Sequence, residues 1–214
     1  MTQAYLASQF YVVGDSIGVK IPSAKKAKTV FITTPLKYKV FKESELEWHY
    51  KNRETLKRNV FITEDYDITG KTEQELITDL AKYEVMYVEG GNPFSTLKIA
   101  QTNNFAEYVR SRIKDGMIYV SESAGSVLAG ADIAANGRPG KSAKEYGLTD
   151  TTGIGLINSV IIPHWGQEAK KEDHLTYKVP QAFSPEHPCI LLTDYNYLEI
   201  DDTNINIIDI RDNL

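Results

Sequence analysis

One cysteine, Cys189, stands among 214 residues, so no intramolecular disulfide can form, and the expectation is a reducing, cytoplasmic setting. No stretch reaches the ~18 uninterrupted apolar residues that a membrane helix requires. The opening Met1-Thr2-Gln3-Ala4 lacks the basic-then-apolar pattern of a secretory signal. A basic excess is missing too: 24 Lys plus Arg against 29 Asp plus Glu give a net charge of −5. The densest basic clusters are only Lys25-Lys26-x-Lys28 and Lys170-Lys171. Phosphate neutralisation needs a basic face, so nucleic acid is not an expected partner. Internal repeats, low-complexity tracts and linkers are also lacking, and residues 1–214 read as one domain. A 42% hydrophobic content excludes a disordered chain and suffices for a core without metal or disulfides. A homodimer is the base-rate expectation for such a chain.

What is present is an alternation of short β-branched runs with longer helical stretches, the pattern of an α/β protein with a mostly parallel sheet. Tyr5-Leu-Ala-Ser8, Thr29 to Thr33, Val60 to Ile62, Val85 to Val88, Met117 to Val120 and Val160 to Ile162 read as strands. Ser44-x-x-Glu47 and Thr72-x-x-Glu75 have the form of capping boxes, the second ahead of an apolar face of Leu76, Ile77, Leu80 and Tyr83. Phe94, Leu97, Phe105, Val109 and Ile113 fit one or two helices that stop at Asp115-Gly116, and Ala124 to Gly130 fits a short helix. Ala135 to Gly155 lacks periodicity and reads as a long loop, the kind of segment that often carries function. Ile190 to Thr193, Tyr197 to Ile200 and Ile205 to Ile208 read as three short strands forming an antiparallel edge, with turns at Asp194-Tyr195-Asn196 and Asp201-Asp202-Thr203-Asn204. Cys189, inside the run Cys189-Ile-Leu-Leu192, reads as a buried structural thiol.

The sharpest chemical signal is Ser121-Glu122-Ser123-Ala124-Gly125, where an apolar strand runs into a helix of small residues. A nucleophile elbow has this form: the turn exposes the serine hydroxyl and the next amide can donate to an oxyanion. Ser121 occupies the first glycine position of G-x-S-x-G, and Ser123 as a plain helix cap stands level with the catalytic reading. Gly90-Gly91-Asn92 ends the preceding strand, at the sheet edge where ligands bind in open parallel sheets. A Gly91 amide and the Ala124 amide would supply two donors. His164, in Ile161-Ile-Pro-His-Trp165, follows another strand and is the natural base. His49, His174 and His187 read as surface residues, and the His164-x9-His174 spacing matches no compact zinc pattern, so neither metal nor cofactor is expected.

Taken in order, Gly90-Gly91-Asn92-Pro93-Phe94, Ser123-Ala124-Gly125 and Pro163-His164 resemble the serine peptidases of family S51, which include dipeptidase E and cyanophycinase. The resemblance implies a three-layer fold like the class I glutamine amidotransferases and flavodoxin-like proteins: a mostly parallel central sheet flanked by helices, with antiparallel strands near the C-terminus. It implies Ser123 as nucleophile, His164 as base, Gly91 and Ala124 as oxyanion donors, and a small peptide as substrate. Asp194, at the turn after a late strand, matches the third triad position, with Asp132, Glu168 and Asp150 as competitors. Asn92, Glu122, Arg138 and Lys170 are candidate substrate-binding residues. Glu122 either attracts a substrate α-amino group or serves as a solvent-facing or salt-bridged residue. The dipeptidase branch carries an arginine stretch after its histidine; here Trp165 to His174 has lysines instead. A catalytically silent binding protein and a serine esterase or amidase are the competing functions.

Overall fold

The computed structural model describes residues 3–202 and 204–213; Met1 and Thr2 of the N-terminal reading, Thr203 of the last expected turn, and Leu214 lie outside them. Among the described residues nine strands are formed: β1 (Gln3–Ala7), β2 (Thr29–Ile32), β3 (Thr63–Tyr66), β4 (Val85–Val88), β5 (Ile118–Glu122), β6 (Val160–Ile162), β7 (Cys189–Leu191), β8 (Asn196–Asp201) and β9 (Ile205–Asp209). The helices are α1 (Phe10–Gly18), α2 (Ser23–Lys26), α3 (Glu47–Arg58), α4 (Glu73–Asp79), α5 (Pro93–Ala100), α6 (Phe105–Lys114), α7 (Ala124–Ala129) and α8 (Val179–Ala182). Seven strands make one sheet in the order β3-β2-β4-β5-β1-β8-β9, with β8 and β9 antiparallel and the other five mutually parallel. A mostly parallel sheet with antiparallel C-terminal strands is thus formed as expected. Among the described residues no helix is long and apolar enough to cross a membrane.

Strands buried on both faces divide their side chains by parity. Tyr5, Ala7, Phe31, Val85, Tyr87, Ile118 and Val120 pack with Phe10, Val13 and Ile17 of α1 and Leu56 of α3. Ala4, Leu6, Val30, Ile32, Met86, Val88 and Tyr119 pack on the opposite face with side chains of α4, α5, α6 and α7. The result is three layers. On α4, Leu76 and Leu80 are buried as the spacing predicts, whereas Ile77 faces outward.

Several local expectations are corrected. The strand expected at Val60 to Ile62 begins at Thr63, because Val60 and Phe61 instead close α3. The Phe61 amide bonds to Leu56 O and that of Val60 to Lys57 O, with Val60 held at φ 59°. This is a Schellman-type ending with a β-branched residue where glycine is usual. The Ser44-x-x-Glu47 box does not form: α3 starts at Glu47 after Leu46, and it is the Glu45 carboxylate that accepts from the Lys42 amide at 2.9 Å. Of the three late strands only β8 and β9 form the antiparallel edge. β7 pairs in parallel with β6 in a separate two-stranded sheet, and Cys189 at its start is exposed rather than buried.

The Thr72 box does form: Glu75 N donates to Thr72 Oγ1 at 3.2 Å and Thr72 N to Glu75 Oε2 at 2.8 Å. Thr72→Ala is expected to lower stability by about 1 kcal/mol, read as a lower urea midpoint at unchanged m-value.

Candidate active site

β5 ends against α7 at a turn whose backbone is unusual. Ser123 sits at φ 44° and ψ −103°, a region that L-residues rarely occupy. Its amide donates to Ala7 O at 3.0 Å, and Gly125 lies so close to β4 that a Cβ there would come within 2.3 Å of Val88 O. Ser121 and Ser126 close the turn from beneath: their hydroxyls are 2.9 Å apart, and Ser126 Oγ donates to Ala7 O at 2.7 Å. Ser123 makes no side-chain cap bond to α7. The hydroxyl, released from a capping role, lies 2.9 Å from His164 Nε2.

His164 also has a left-handed backbone, φ 64°, directly after β6 and Pro163. Its other ring nitrogen, Nδ1, lies 3.1 Å from Asp194 Oδ1. Asp194 follows β7, so the pairing of Ile162 with Leu191 brings the two residues together. Ser8, fully buried just beyond β1, links the same groups. Its hydroxyl donates to Asp194 Oδ1 at 2.7 Å and accepts the His164 backbone N–H at 2.7 Å. Gln167 Nε2 donates to Asp194 Oδ2 at 2.5 Å. Burial acts to raise the Asp194 carboxyl, but hydrogen bonds from His164, Gln167 and Ser8 outweigh it and hold the group below its ordinary value.

The competing carboxylates lie elsewhere. Asp132 binds the Ala134 amide and Thr151, Asp150 binds the Thr152 amide, and Glu168 pairs with Lys171 at the surface. Asn92 does not line the cleft. It is buried as the cap of α5, its Oδ1 accepting from Phe94 N and Ser95 N and its Nδ2 donating to Tyr146 Oη.

A cleft of about 350 Å³ opens over Ser123 and His164, bordered by Gly90, Gly91 and Ala124. Gly91 at φ 141° packs against the Pro35 carbonyl, where any Cβ would be 2.1 Å from Pro35 O. Arg138, Lys141, Lys170 and Lys178 put a cluster of cations in the cleft wall. Arg138 pairs with Asp173 at 3.1 Å, and Lys141 Nζ donates to Gly91 O at 2.9 Å. Burial, with Arg138 nearby, pulls both Lys141 and Lys178 down to about 8. Trp48 and Glu122 also line the cleft. Glu122 is only 3% exposed, so it neither faces solvent nor joins a salt bridge; its Oε2 accepts from Phe10 N and the Asn52 amide. Its neighbour Glu89 is fully buried against His49 Nδ1 at 2.6 Å. Burial raises both carboxyls, and Glu89 pushes Glu122 further. Of the three histidines read as surface residues, His174 is buried and stacked on Trp165, while His49 and His187 are each partly exposed, bonded to Glu89 and Asn158.

Ser8, Gln167, Lys141 and Lys178 were not legible as site residues. Ser8 carries one usable signal, its position at the carboxyl end of a strand. Gln167 sits three residues after His164 and Lys178 belongs to a π-helical turn, Asp173–Lys178, which periodicity does not reveal.

Comparison with known proteins bears on the family and the fold. The model of peptidase family S51 matches residues 23–208. The uncharacterized peptidase PM1590 of Pasteurella multocida is 26% identical over 202 residues, covering 91% of this chain and 95% of that protein. The uncharacterized peptidase Lmo0363 of Listeria monocytogenes is 28% identical over 123 residues, which cover 58% of this chain and 59% of that relative's length. A crystal structure of a putative peptidase E protein from Listeria monocytogenes superposes with a TM-score of 0.82 at 23% identity, over 98% of this chain and 99% of that one. A peptidase from an acI-B1 actinobacterium gives 0.69 at 15% identity, over 98% and 88%. The match across most of the length, on a fold that brings a serine, a histidine and an aspartate together, identifies the chain as a member of peptidase family S51.

Proposed function

We propose that this peptidase is a serine hydrolase of short peptides, working through Ser123, His164 and Asp194. The observation that carries the reading is the 2.9 Å contact of Ser123 Oγ with His164 Nε2, with Asp194 at 3.1 Å on the opposite ring nitrogen. With the proton on Nδ1, Nε2 is free to take the Ser123 proton as the oxygen attacks a peptide carbonyl. Asp194, held ionised by its three donors, stabilises the imidazolium. The amides of Gly91 and Ala124, residues that border the cleft, are the donors assigned to the developing oxyanion. His164 then gives its proton to the departing amine, and water, activated by the same imidazole, releases the acyl group from Ser123.

The cleft volume suits a ligand of a few residues. The cations in its wall favour a substrate bearing an acidic group, with lysine and arginine side chains serving as charge partners.

A fluorophosphonate is expected to label the wild type and not Ser123→Ala; equal labelling of the two, or none of either, rejects the serine mechanism. Lys141 and Lys178 are charged below about 8 and lose their protons above it in the unliganded protein. KM for acidic dipeptides should therefore rise more steeply between pH 7 and pH 9.5 than KM for neutral dipeptides, whose α-amino group titrates over the same range, as steady-state assays will report. Ser8→Ala removes a donor to half-buried Asp194 and the acceptor of the His164 amide, at an expected cost of about 1–3 kcal/mol at pH 7. Asp194 is depressed in the folded state, so its stabilisation is present at neutral pH and lost as pH falls through its folded value. Urea denaturation should accordingly show a smaller difference between Ser8→Ala and wild type in acid than at pH 7.

A further inference from the structure

We propose that Lys141 is a positioning residue of the reaction: its hydrogen bond to the Gly91 carbonyl holds the loop from which the Gly91 amide serves the oxyanion. Resting on the serine-hydrolase reading, in which Gly91 is an oxyanion donor, this gives the lysine a task besides meeting the charge of a substrate.

The sequence carries Lys141 on a rigid support. Arg138-Pro139-Gly140-Lys141 has proline and glycine at the second and third places of a type II turn. The structure forms a turn there: Lys141 N donates to Arg138 O at 2.9 Å, Arg138 N donates to Lys141 O at 3.0 Å, and Gly140 takes the positive φ of 75° that its place demands. Tyr146, farther along the same loop, accepts from Asn92 Nδ2 at 2.5 Å and stacks on Phe94. The loop is thus docked both on Gly91 and on the start of α5 that follows it.

What Lys141 touches is the peptide group between Gly91 and Asn92, and that group is held at both polar ends. Its C=O accepts from Lys141 Nζ at 2.9 Å, and its N–H donates to Pro35 O at 2.9 Å. Glycine has the widest backbone freedom of any residue, so an amide at Gly91 needs a fixed neighbour. Turning the held peptide over would break both bonds, and the pair therefore fixes the frame from which the Gly91 N–H projects. Among the described residues that N–H donates to no protein group, and Gly91 borders the cleft with Ser123. A free donor on a fixed frame is what an oxyanion site requires, because a donor that must reorient during the reaction stabilises the transition state less.

The lysine holds this carbonyl in unfavourable surroundings. It is half-buried, and burial together with Arg138, Lys178 and Lys170 nearby disfavours its charge. Asp173, the neighbouring carboxylate, is paired with Arg138 at 3.1 Å, and among the described residues Lys141 joins no ion pair. Its other neighbour is the ring of Tyr38, whose centre lies 5.8 Å from Nζ. Stability does not explain this placement, since a solvated lysine with water on the Gly91 carbonyl would spare the desolvation. A fixed position for that carbonyl does explain it. An ammonium has three N–H donors, so the two not used on Gly91 leave its charge available to an acidic substrate.

The test uses two neutral probes, on which a charge partner for acidic substrates has no hold: p-nitrophenyl acetate, and a fluorophosphonate whose P=O enters the same oxyanion site. Wild type, Lys141→Met and Lys141→Arg are compared. Expected in Lys141→Met are a kcat for the ester lower by about 10- to 100-fold at a KM within about threefold, and fluorophosphonate labelling slowed by a similar factor. Lys141→Arg, which keeps a donor, should lie much nearer to wild type than Lys141→Met does. Wild-type rates on both neutral probes in Lys141→Met, with any loss confined to KM for acidic dipeptides, overturn the inference and leave the serine mechanism standing. An equal loss in Lys141→Arg overturns it as well, because a donor to Gly91 would then not be what matters. Labelling needs no turnover, so it decides the matter even if the ester is not hydrolysed. If Lys141→Met does not fold, Lys141→Gln takes its place, and failure of both to fold assigns the lysine to the fold and overturns the inference. Absence of Ser123-dependent labelling in the wild type removes the serine mechanism and this inference together.

Discussion

The backbone of Ser123 is the constraint on which the site depends. A residue at φ 44° and ψ −103° stores strain of about 1–3 kcal/mol, and such a conformation persists only where the surroundings over-determine it. Here β1 holds its amide through Ala7 O, and Ser121 and Ser126 brace the turn from below. Close packing of Gly125 on Val88 O fixes where α7 can lie. These restraints come from three adjacent parallel strands, so the hydroxyl is aimed by the sheet rather than by a flexible loop. Its backbone is thereby fixed before any substrate arrives, which is the preorganisation that nucleophilic catalysis requires.

His164, the proposed base, reaches that hydroxyl by a different route. His164 and Asp194 lie after β6 and β7, which pair with each other and not with the main sheet. Two independent sheets would leave the base loosely placed unless something joined them. Ser8 is that joint: it extends from β1 of the large sheet, binds the His164 amide and Asp194, and is fully buried. The same strand thus anchors the elbow through Ala7 and the base through Ser8. A buried hydroxyl with all its partners present is also a specific one, because its loss would strand both a buried amide and a carboxylate.

The elements that were legible in the sequence are those whose fate is decided locally. Val85 to Val88 and Val160 to Ile162 are apolar throughout because each is a buried parallel strand, and both boundaries match the structure. Thr72 and Glu75 form the expected box because both partners lie within one turn. Val60 to Ile62 misled because β-branched residues there serve a helix ending, a role that depends on where α3 stops. Cys189 misled because its apolar run lies at the start of a small separate sheet and not in the main core. For the site, Ser123, His164 and Asp194 each follow a strand and stood out as candidates. Their convergence, and the parts of Ser8, Gln167, Lys141 and Lys178, depend on contacts across up to 186 positions of chain, which no local pattern encodes.

The overall charge of −5 conceals the electrostatics that matter at the cleft. Arg138, Lys141, Lys170 and Lys178 gather in the cleft wall, where burial and mutual repulsion hold Lys141 and Lys178 near 8, while burial raises Glu122 in the same wall and Glu89 behind it. Each group is electrostatically strained in the sense that a ligand of opposite charge relieves it, so the selectivity of the cleft is a property of a few buried charges that the total averages away.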